Sequence, residues 1–144
     1  MIFLSLFLIF FQRIQMNIGE LSKESGVTTK LIRHYEGIGL IPEAGRTENG
    51  YRSYSSDDIH YLRFIKRSRE LGFPLEDIKS LLGLWKNKSR SSKQVKLLAE
   101  KHLNELDLKL KQLKDMSDTL KNLIKHCHGD HRPDCPILKR LEQS

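Results

Sequence analysis

A chain of 144 residues has room for one modest hydrophobic core and an extension, but hardly for two full domains. Its 25 basic and 18 acidic side chains give a formal charge of +7, which favours a polyanionic partner, either nucleic acid or a membrane surface. Its two cysteines fit an intracellular thiol pair or a metal site better than a secreted disulfide framework, which usually has more cysteines.

The first 15 residues, MIFLSLFLIFFQRIQ, differ from the rest of the chain. Residues 2–11 are apolar apart from Ser5, which is long enough for a signal-peptide core and too short to cross a bilayer. A secretory signal carries positive charge before its apolar run, whereas Arg13 follows this one. We therefore expect residues 1–15 to be a non-native extension from an upstream start, with Met16 as the initiator. A membrane or export segment is the alternative.

Two short helices are predicted after Met16. The segment Asn17 to Ser25 has apolar residues at helical spacing, Gly26 ends it, and Thr28 is a suitable N-cap for the next helix, TKLIRHYEGIGL. A helix pair joined by a tight turn predicts a helix-turn-helix. On its second helix we expect the apolar side chains to face inward and a cationic face to remain exposed for DNA. The inward pair is Leu31 and Ile32, and the exposed set is Lys30, Arg33 and Tyr35. A solvated basic helix is the alternative.

A hairpin is predicted in RTENGYRSY, Arg46 to Tyr54. The dipeptide Asn49-Gly50 favours a two-residue turn, in which both central residues have positive φ. Tyr51 and Arg52 follow this turn, so the ribbon is basic near its tip and can lie against DNA as a wing. The alternative is a hairpin that buries its aromatic side chains and uses its arginines for solubility.

Two further helices and one long helix complete the chain. Ser55 or Ser56 before two aspartates predicts one helix start, and Pro74 predicts another; Trp85 is expected to be a packing residue. Residues 91–126 then contain neither Pro nor Gly. They carry the a/d spacing of a coiled coil, which predicts a helix ~50 Å long and a homodimer with antiparallel helices. The seam positions are Leu103, Leu106, Leu110, Leu113, Ser117, Leu120, Ile124 and Cys127.

Three segments, MNIGELSKESGVTTKLIRHYEGIGLI, RTENGYRSYS and LGFPLEDIKSLL, resemble the DNA-binding half of the MerR family of transcription regulators. The tail CHGDHRPDCPIL resembles its copper-responsive, CueR/HmrR-like branch. The resemblance implies a mainly α fold: a winged helix-turn-helix domain over 16–85, a dimerisation helix in an antiparallel coiled coil over 91–126, and a metal-binding loop with a short C-terminal helix over 127–144. It also implies a cytoplasmic homodimer without stable membrane association, which distorts double-stranded promoter DNA for RNA polymerase.

By position, the resemblance assigns DNA contact to residues of the second helix, the wing and the following helix. These residues are Lys30, Arg33, Tyr35, Arg46, Asn49, Tyr51, Arg52 and Arg69. In branches that sense divalent ions, a further cysteine begins the long helix, and the matching residue here is Ser92. A serine at that position favours a monovalent ion.

The metal is predicted from the ligands. Thiolates select soft ions, structural zinc normally wants four ligands, and two thiolates suit two-coordinate Cu(I), with Ag(I) and Au(I) as mimics. The metal ligands are therefore Cys127 and Cys135, and no organic cofactor is expected. The loop also holds three histidines, His126, His128 and His131, which keep Zn(II) as an alternative.

Two other classes of function remain open. A thiol redox switch would join the two cysteines in a disulfide. A membrane-attached basic coiled-coil adaptor would rest on the N-terminal apolar run. An enzyme is not expected, because the motifs supply neither a nucleophile–base pair nor a nucleotide-binding loop.

Overall fold

The computed structural model describes residues 15–143. The chain divides into two compact units between Ser91 and Ser92. The described residues form six helices and one two-stranded antiparallel sheet, as the mainly α prediction requires. In chain order these are α1 (Ile18–Ser25), α2 (Thr29–Gly37), β1 (Gly45–Arg46), β2 (Arg52–Ser53), α3 (Ser56–Glu70), α4 (Leu75–Lys86), α5 (Ser92–His126) and α6 (Pro136–Glu142).

Residues 1–14, which include the whole N-terminal apolar run, lie outside the described residues. Within residues 15–143, no helix combines the length and the apolar character needed to cross a membrane.

Local capping chemistry sets the two helices of the helix-turn-helix. At the start of α1, the Glu20 N–H donates to Asn17 Oδ1 at 2.8 Å and the Asn17 N–H donates to Glu20 Oε2 at 2.9 Å, which is a reciprocal capping box. Gly26 ends α1 with a φ of 73°, a conformation that favours glycine. The Thr28 hydroxyl then accepts from the Leu31 N–H at 3.3 Å, so Thr28 is the N-cap of α2, as predicted.

The core of the first unit is mainly aliphatic and is shared by four helices. Helix α1 packs on α2 and α3, and α3 packs on α4. The side chains of Leu21, Ile32, Leu62, Ile65 and Ile78 are all fully buried. Each such burial stabilises the fold by about 1.5–3 kcal/mol relative to an exposed side chain. This core therefore fixes the position of the two helices of the helix-turn-helix relative to each other.

An aromatic cluster lies beside that core. The Trp85 ring stacks on Phe64 with centroids 4.9 Å apart and meets Tyr61 edge-on at 5.9 Å. The Lys86 ammonium lies 4.3 Å from the centroid of the Tyr61 ring. Trp85 is thus a packing residue, as predicted.

The second unit consists of α5, the metal loop and α6, which packs against α5. Leu103, Leu110, Leu113, Leu120 and Ile124 are each more than half exposed on the single chain. A row of exposed leucines along one helix is energetically unfavourable in water. The seam read from the sequence is therefore present as an apolar stripe on α5.

Candidate DNA interface and metal-binding loop

Helix α2 presents a cationic face, but its buried residues differ from the prediction. Lys30 and Arg33 are exposed and lie three residues apart, so they share one face of the helix. Ile32 and Tyr35 are buried, whereas Leu31 is 41% exposed. The predicted outward position of Tyr35 and the inward position of Leu31 are therefore wrong.

The chain that follows α2 explains this difference. The backbone N–H groups of Leu40 and Ile41 donate to the Tyr35 carbonyl at 2.9 and 3.4 Å, so the segment after the helix folds back over its last turn. Leu40 and Ile41 are themselves buried. Ile32 and Tyr35, at i and i+3, lie on one face, and Leu31 is rotated about 100° from Ile32. Tyr35 is consequently a core residue of α2, the recognition helix of the helix-turn-helix.

The wing is a hairpin with a three-residue loop. Gly45 pairs with Ser53 and Arg46 with Arg52. The Thr47 N–H donates to the Tyr51 carbonyl at 2.8 Å, and the Gly50 N–H donates back to the Thr47 carbonyl at 2.9 Å. Thr47 and Tyr51 are thus the last pair of the hairpin, and residues 48–50 form its three-residue loop.

Gly50 alone in this loop has a positive φ, of 80°. The predicted two-residue turn with positive φ at both Asn49 and Gly50 is therefore wrong. The extra loop residue gives a turn followed by a left-handed glycine, the common three-residue hairpin. The Arg46 guanidinium also donates to the Gly50 carbonyl at 2.9 Å and ties the loop to the first strand.

The wing separates its two tyrosines. Tyr51 is 74% exposed beside the loop, whereas Tyr54, just after β2, is 2% exposed. Asn49, Arg46 and Arg52 are exposed. The wing therefore presents an aromatic ring, an amide and two guanidinium groups to solvent.

Arg69 completes the set of residues assigned to DNA. It lies in the last turn of α3, is exposed, and donates to the Phe73 carbonyl at 3.2 Å. Apart from Tyr35, all the assigned DNA residues are exposed, and all lie in the first unit.

Sequence reasoning missed a hydrogen bond between the wing and the recognition helix. The Tyr54 hydroxyl donates to the Glu36 carboxylate, from a position 18 residues away in the chain. Burial, followed by the hydrogen bond and negative charge of Glu36, raises the pKa of Tyr54 to about 12. The hydroxyl therefore keeps its proton at neutral pH. No local sequence pattern signals this pair, since it depends on the path of the chain.

The structure brings the two cysteines together. Cys127 follows the end of α5, and Cys135 precedes Pro136, the first residue of α6. Both thiols are free and half-buried. The backbone N–H of Leu138 is the main cause that lowers the pKa of Cys135, and burial opposes it. The Ile137 N–H and the neighbouring Cys127 side chain lower this pKa further, so the two cysteine side chains are near neighbours at the two ends of the loop.

The loop between the cysteines is shaped by an ion pair. The Arg132 Nε donates to Asp130 Oδ2 at 2.8 Å, and the Arg132 backbone N–H donates to Asp130 Oδ1 at 3.0 Å. This hydrogen bonding lowers the pKa of Asp130. Gly129 precedes the pair with a φ of 64°.

The three histidines and Ser92 are exposed. His126 lies on the last turn of α5, where its Nδ1 is 2.8 Å from the Asn122 carbonyl oxygen. Across residues 15–143, no three His, Cys, Asp or Glu side chains converge as a metal site. Ser92 is the first residue of α5.

These features define a winged helix-turn-helix protein with a long helix and a C-terminal dithiol loop. Two family profiles match the chain: "MerR HTH family regulatory protein" over residues 16–84 and "MerR, DNA binding" over residues 59–123. The heavy metal-dependent transcription regulator 2 of Rhizobium meliloti (strain 1021) is 55% identical over 126 residues, 88% of this chain and 86% of that protein. The regulator CueR of Salmonella typhimurium is 36% identical over 126 residues, 88% and 91% of the two chains.

A solved structure shares the architecture. The transcription regulator PbrR691 from Ralstonia metallidurans CH34, in complex with lead(II), superimposes with a TM-score of 0.79 at 32% identity, covering 88% of this chain and 98% of that chain. The chain therefore belongs to the MerR family of helix-turn-helix, DNA-binding transcription regulators. This membership confirms the fold class and the prediction that the chain is a regulator and not an enzyme.

Proposed function

We propose that this chain is a heavy-metal-responsive transcription regulator whose effector is Cu(I), with Ag(I) and Au(I) as mimics. The observation that carries the proposal is the placement of two free thiols as neighbours at the end of the long helix, with Cys127 directly after it and Cys135 at the start of α6. Two soft sulfur donors suit a monovalent d10 ion. The heavy metal-dependent relative in Rhizobium meliloti supports a metal as the effector.

The residues around the two sulfurs fit an anionic complex. Two thiolates and one monovalent cation carry a net charge of about minus one, which costs free energy in a half-buried loop unless it is compensated. The backbone N–H of Leu138 already stabilises the Cys135 thiolate, as its effect on the pKa shows, and Ile137 adds to it. When bound, the ion would cross-link the two ends of the loop through Cys127 and Cys135.

The choice between monovalent and divalent ions rests on Ser92. Its hydroxyl stands at the start of α5, where the resemblance places a third cysteine in regulators of divalent ions. A hydroxyl in place of a thiol removes one soft donor and one negative charge, which favours Cu(I) over Zn(II). Zn(II) is the second candidate effector, because three exposed histidines lie in or beside the loop.

The proposed DNA complex uses a homodimer. The exposed apolar stripe on α5 supports an antiparallel coiled coil with a second copy, since burying it stabilises association. A two-fold dimer presents two recognition helices and two wings, which matches a palindromic operator. We further propose that metal binding to the loop changes how the dimer distorts double-stranded promoter DNA for RNA polymerase.

Run-off transcription from the promoters that neighbour the gene tests the effector. The reduced protein and RNA polymerase are compared without metal and with Cu(I), Ag(I) or Zn(II), each buffered by a strong chelator. We expect transcript to rise with Cu(I) and Ag(I) and to stay at its metal-free level with Zn(II). A response to zinc alone would refute the ion assignment, and activation by an oxidant without metal would favour the redox alternative.

Arg33 is expected to carry part of the DNA recognition. The DNA probe is the double-stranded sequence that the wild-type chain selects from a random-sequence library. Because the Arg33 guanidinium is exposed on the cationic face of α2, Arg33→Ala should weaken binding to this DNA by about 5- to 150-fold, or ~1–3 kcal/mol. Fluorescence anisotropy over a salt series measures this loss. Lys79→Ala, which removes an exposed cation from α4, is the matched control and should bind as the wild-type chain does. An equal loss of DNA affinity in both variants would mean that Arg33 contributes only through its general positive charge and not through a specific contact.

A further inference from the structure

We propose that Glu36 and Tyr54 are positioning residues for DNA binding, which fasten the wing to the recognition helix and hold Arg52 in place for a DNA phosphate. The inference rests on the proposed DNA contact of Arg52. It extends that function by explaining how two separate parts of the DNA-binding surface keep a fixed relation to each other.

The link joins the end of α2 to the end of the wing. Glu36 lies in the last turn of α2, three residues after Arg33, so its position is set by the same helix that presents the recognition face. Tyr54 directly follows β2, in which Arg52 lies. The hydroxyl of Tyr54 donates to the Glu36 carboxylate. One hydrogen bond to a charged acceptor thus connects the two DNA-contacting elements.

Tyr54 is itself held on several sides. Its ring is 2% exposed. Its backbone N–H donates to the Met16 carbonyl at 2.9 Å, and its carbonyl accepts from the Met16 N–H at 3.0 Å. Met16 immediately precedes Asn17, the N-cap of α1. Because its ring is buried and its backbone is hydrogen-bonded, Tyr54 has little freedom to move and can orient the neighbouring Arg52 side chain.

Arg52 is the side chain so oriented. Arg52 and Tyr54 are two residues apart along an extended stretch of chain, so their side chains lie on the same face of the wing. The positive charge of Arg52 accordingly lowers the pKa of Tyr54, against the larger effects of burial and Glu36. The Tyr54 side chain therefore connects Glu36, at the end of α2, with the face of the wing that carries Arg52. Arg52 remains exposed, so its outer N–H groups are available to a phosphate oxygen.

The wing needs such an anchor because its own sheet is small. Each strand has two residues, and a lone two-stranded hairpin is only marginally stable in water. The fully buried aliphatic side chains belong mainly to α1, α2, α3 and α4. The direction of the wing relative to α2 therefore depends on contacts such as the one between Tyr54 and Glu36.

The test is a double-mutant cycle between Tyr54→Phe and Arg52→Ala in the full-length chain. The ligand is the double-stranded DNA that the wild-type chain selects from a random-sequence library. Binding is measured well below the unfolding midpoint of every variant. We expect Tyr54→Phe to weaken binding about tenfold, or ~1.4 kcal/mol, and to lower the salt dependence by about one phosphate contact. In the Arg52→Ala background the same change should cost less than about twofold, since residues that act through one another are not additive.

Three further variants keep the test independent of folding. Glu36→Ala should reproduce the tenfold loss, whereas Glu36→Gln retains an acceptor oxygen and should restore part of the affinity. Tyr61→Phe removes a hydroxyl from a half-buried tyrosine of the aromatic cluster and should leave DNA binding unchanged.

The outcomes separate the inference from the proposed function. Additive effects of Tyr54→Phe and Arg52→Ala, or no effect of Tyr54→Phe where Arg52→Ala weakens binding, would overturn the positioning role and leave Arg52 as a DNA contact. An Arg52→Ala variant that binds as the wild-type chain would overturn the DNA contact itself, and the inference with it.

Discussion

Replacement of Cys127 or Cys135 by serine is expected to abolish the transcriptional response to Cu(I) and to leave metal-free operator binding unchanged. Loss of residues that only support a metal ligand already costs about 10- to 100-fold in metal affinity, so loss of one of two ligands costs at least about 100-fold. The residues proposed to contact DNA lie in the other unit of the chain, which is why operator affinity should survive. Chelator competition with Cu(I) measures the metal affinity, and run-off transcription measures the response.

The contrast variant for this experiment is His128→Ala combined with His131→Ala. Both imidazoles are exposed in the loop, and the dithiol proposal gives neither a bond to Cu(I). We expect this double variant to keep the affinity of the wild-type chain within about threefold, which is ~0.6 kcal/mol. If a serine variant still responded to Cu(I) and the histidine variant did not, the imidazoles and not the thiolates would be the Cu(I) ligands.

Replacement of Leu113 by lysine is expected to dissociate the dimer. Leu113 stands at a seam position of α5 and is 60% exposed on the single chain. Burial of a leucine contributes about 1.5–3 kcal/mol, and a two-fold interface contains the residue twice. The dimer dissociation constant should therefore rise by roughly 10²- to 10⁴-fold, and operator binding should be lost at concentrations that saturate with the wild-type chain.

Leu108→Lys is the matched control for the seam. Leu108 is 58% exposed on the same helix but lies off the a/d positions, on the outer side of the proposed coiled coil. Leucine and lysine have similar helix propensities, so both variants should keep α5 helical. Sedimentation velocity should find a monomer for Leu113→Lys and a dimer for Leu108→Lys. The same oligomeric state in both variants would contradict the seam.

The elements of the fold could be predicted where short-range chemistry decides them. Thr28 supplies a hydroxyl to the first turn of α2, and Gly26 adopts a left-handed conformation that is unfavourable for most other residues. The ends of the two helices of the helix-turn-helix are therefore set by neighbouring residues in the sequence. The apolar seam of α5 could likewise be read directly, because helical periodicity alone determines which side chains share a face. The proximity of the two cysteines to the end of this helix followed from chain position.

The tertiary structure decided the features that depend on which segments return over which faces. Tyr35 is buried and Leu31 exposed because the chain after α2 folds back onto the Tyr35 carbonyl, and the amphipathic pattern of one short helix does not contain that information. The hairpin loop gained a third residue because its strand register pairs Arg46 with Arg52, whereas Asn-Gly by itself favours a two-residue turn.

The hydrogen bond from Tyr54 to Glu36 joins residues 18 positions apart, and it exists only because the wing lies beside the end of the recognition helix. The sequence by itself therefore determined the family, the helices, the apolar stripe of α5 and the position of the two cysteines after it, since these depend on local composition and period. The tertiary structure alone decided how the recognition helix is seated and how the wing is fastened to it, because those contacts depend on the path of the whole chain.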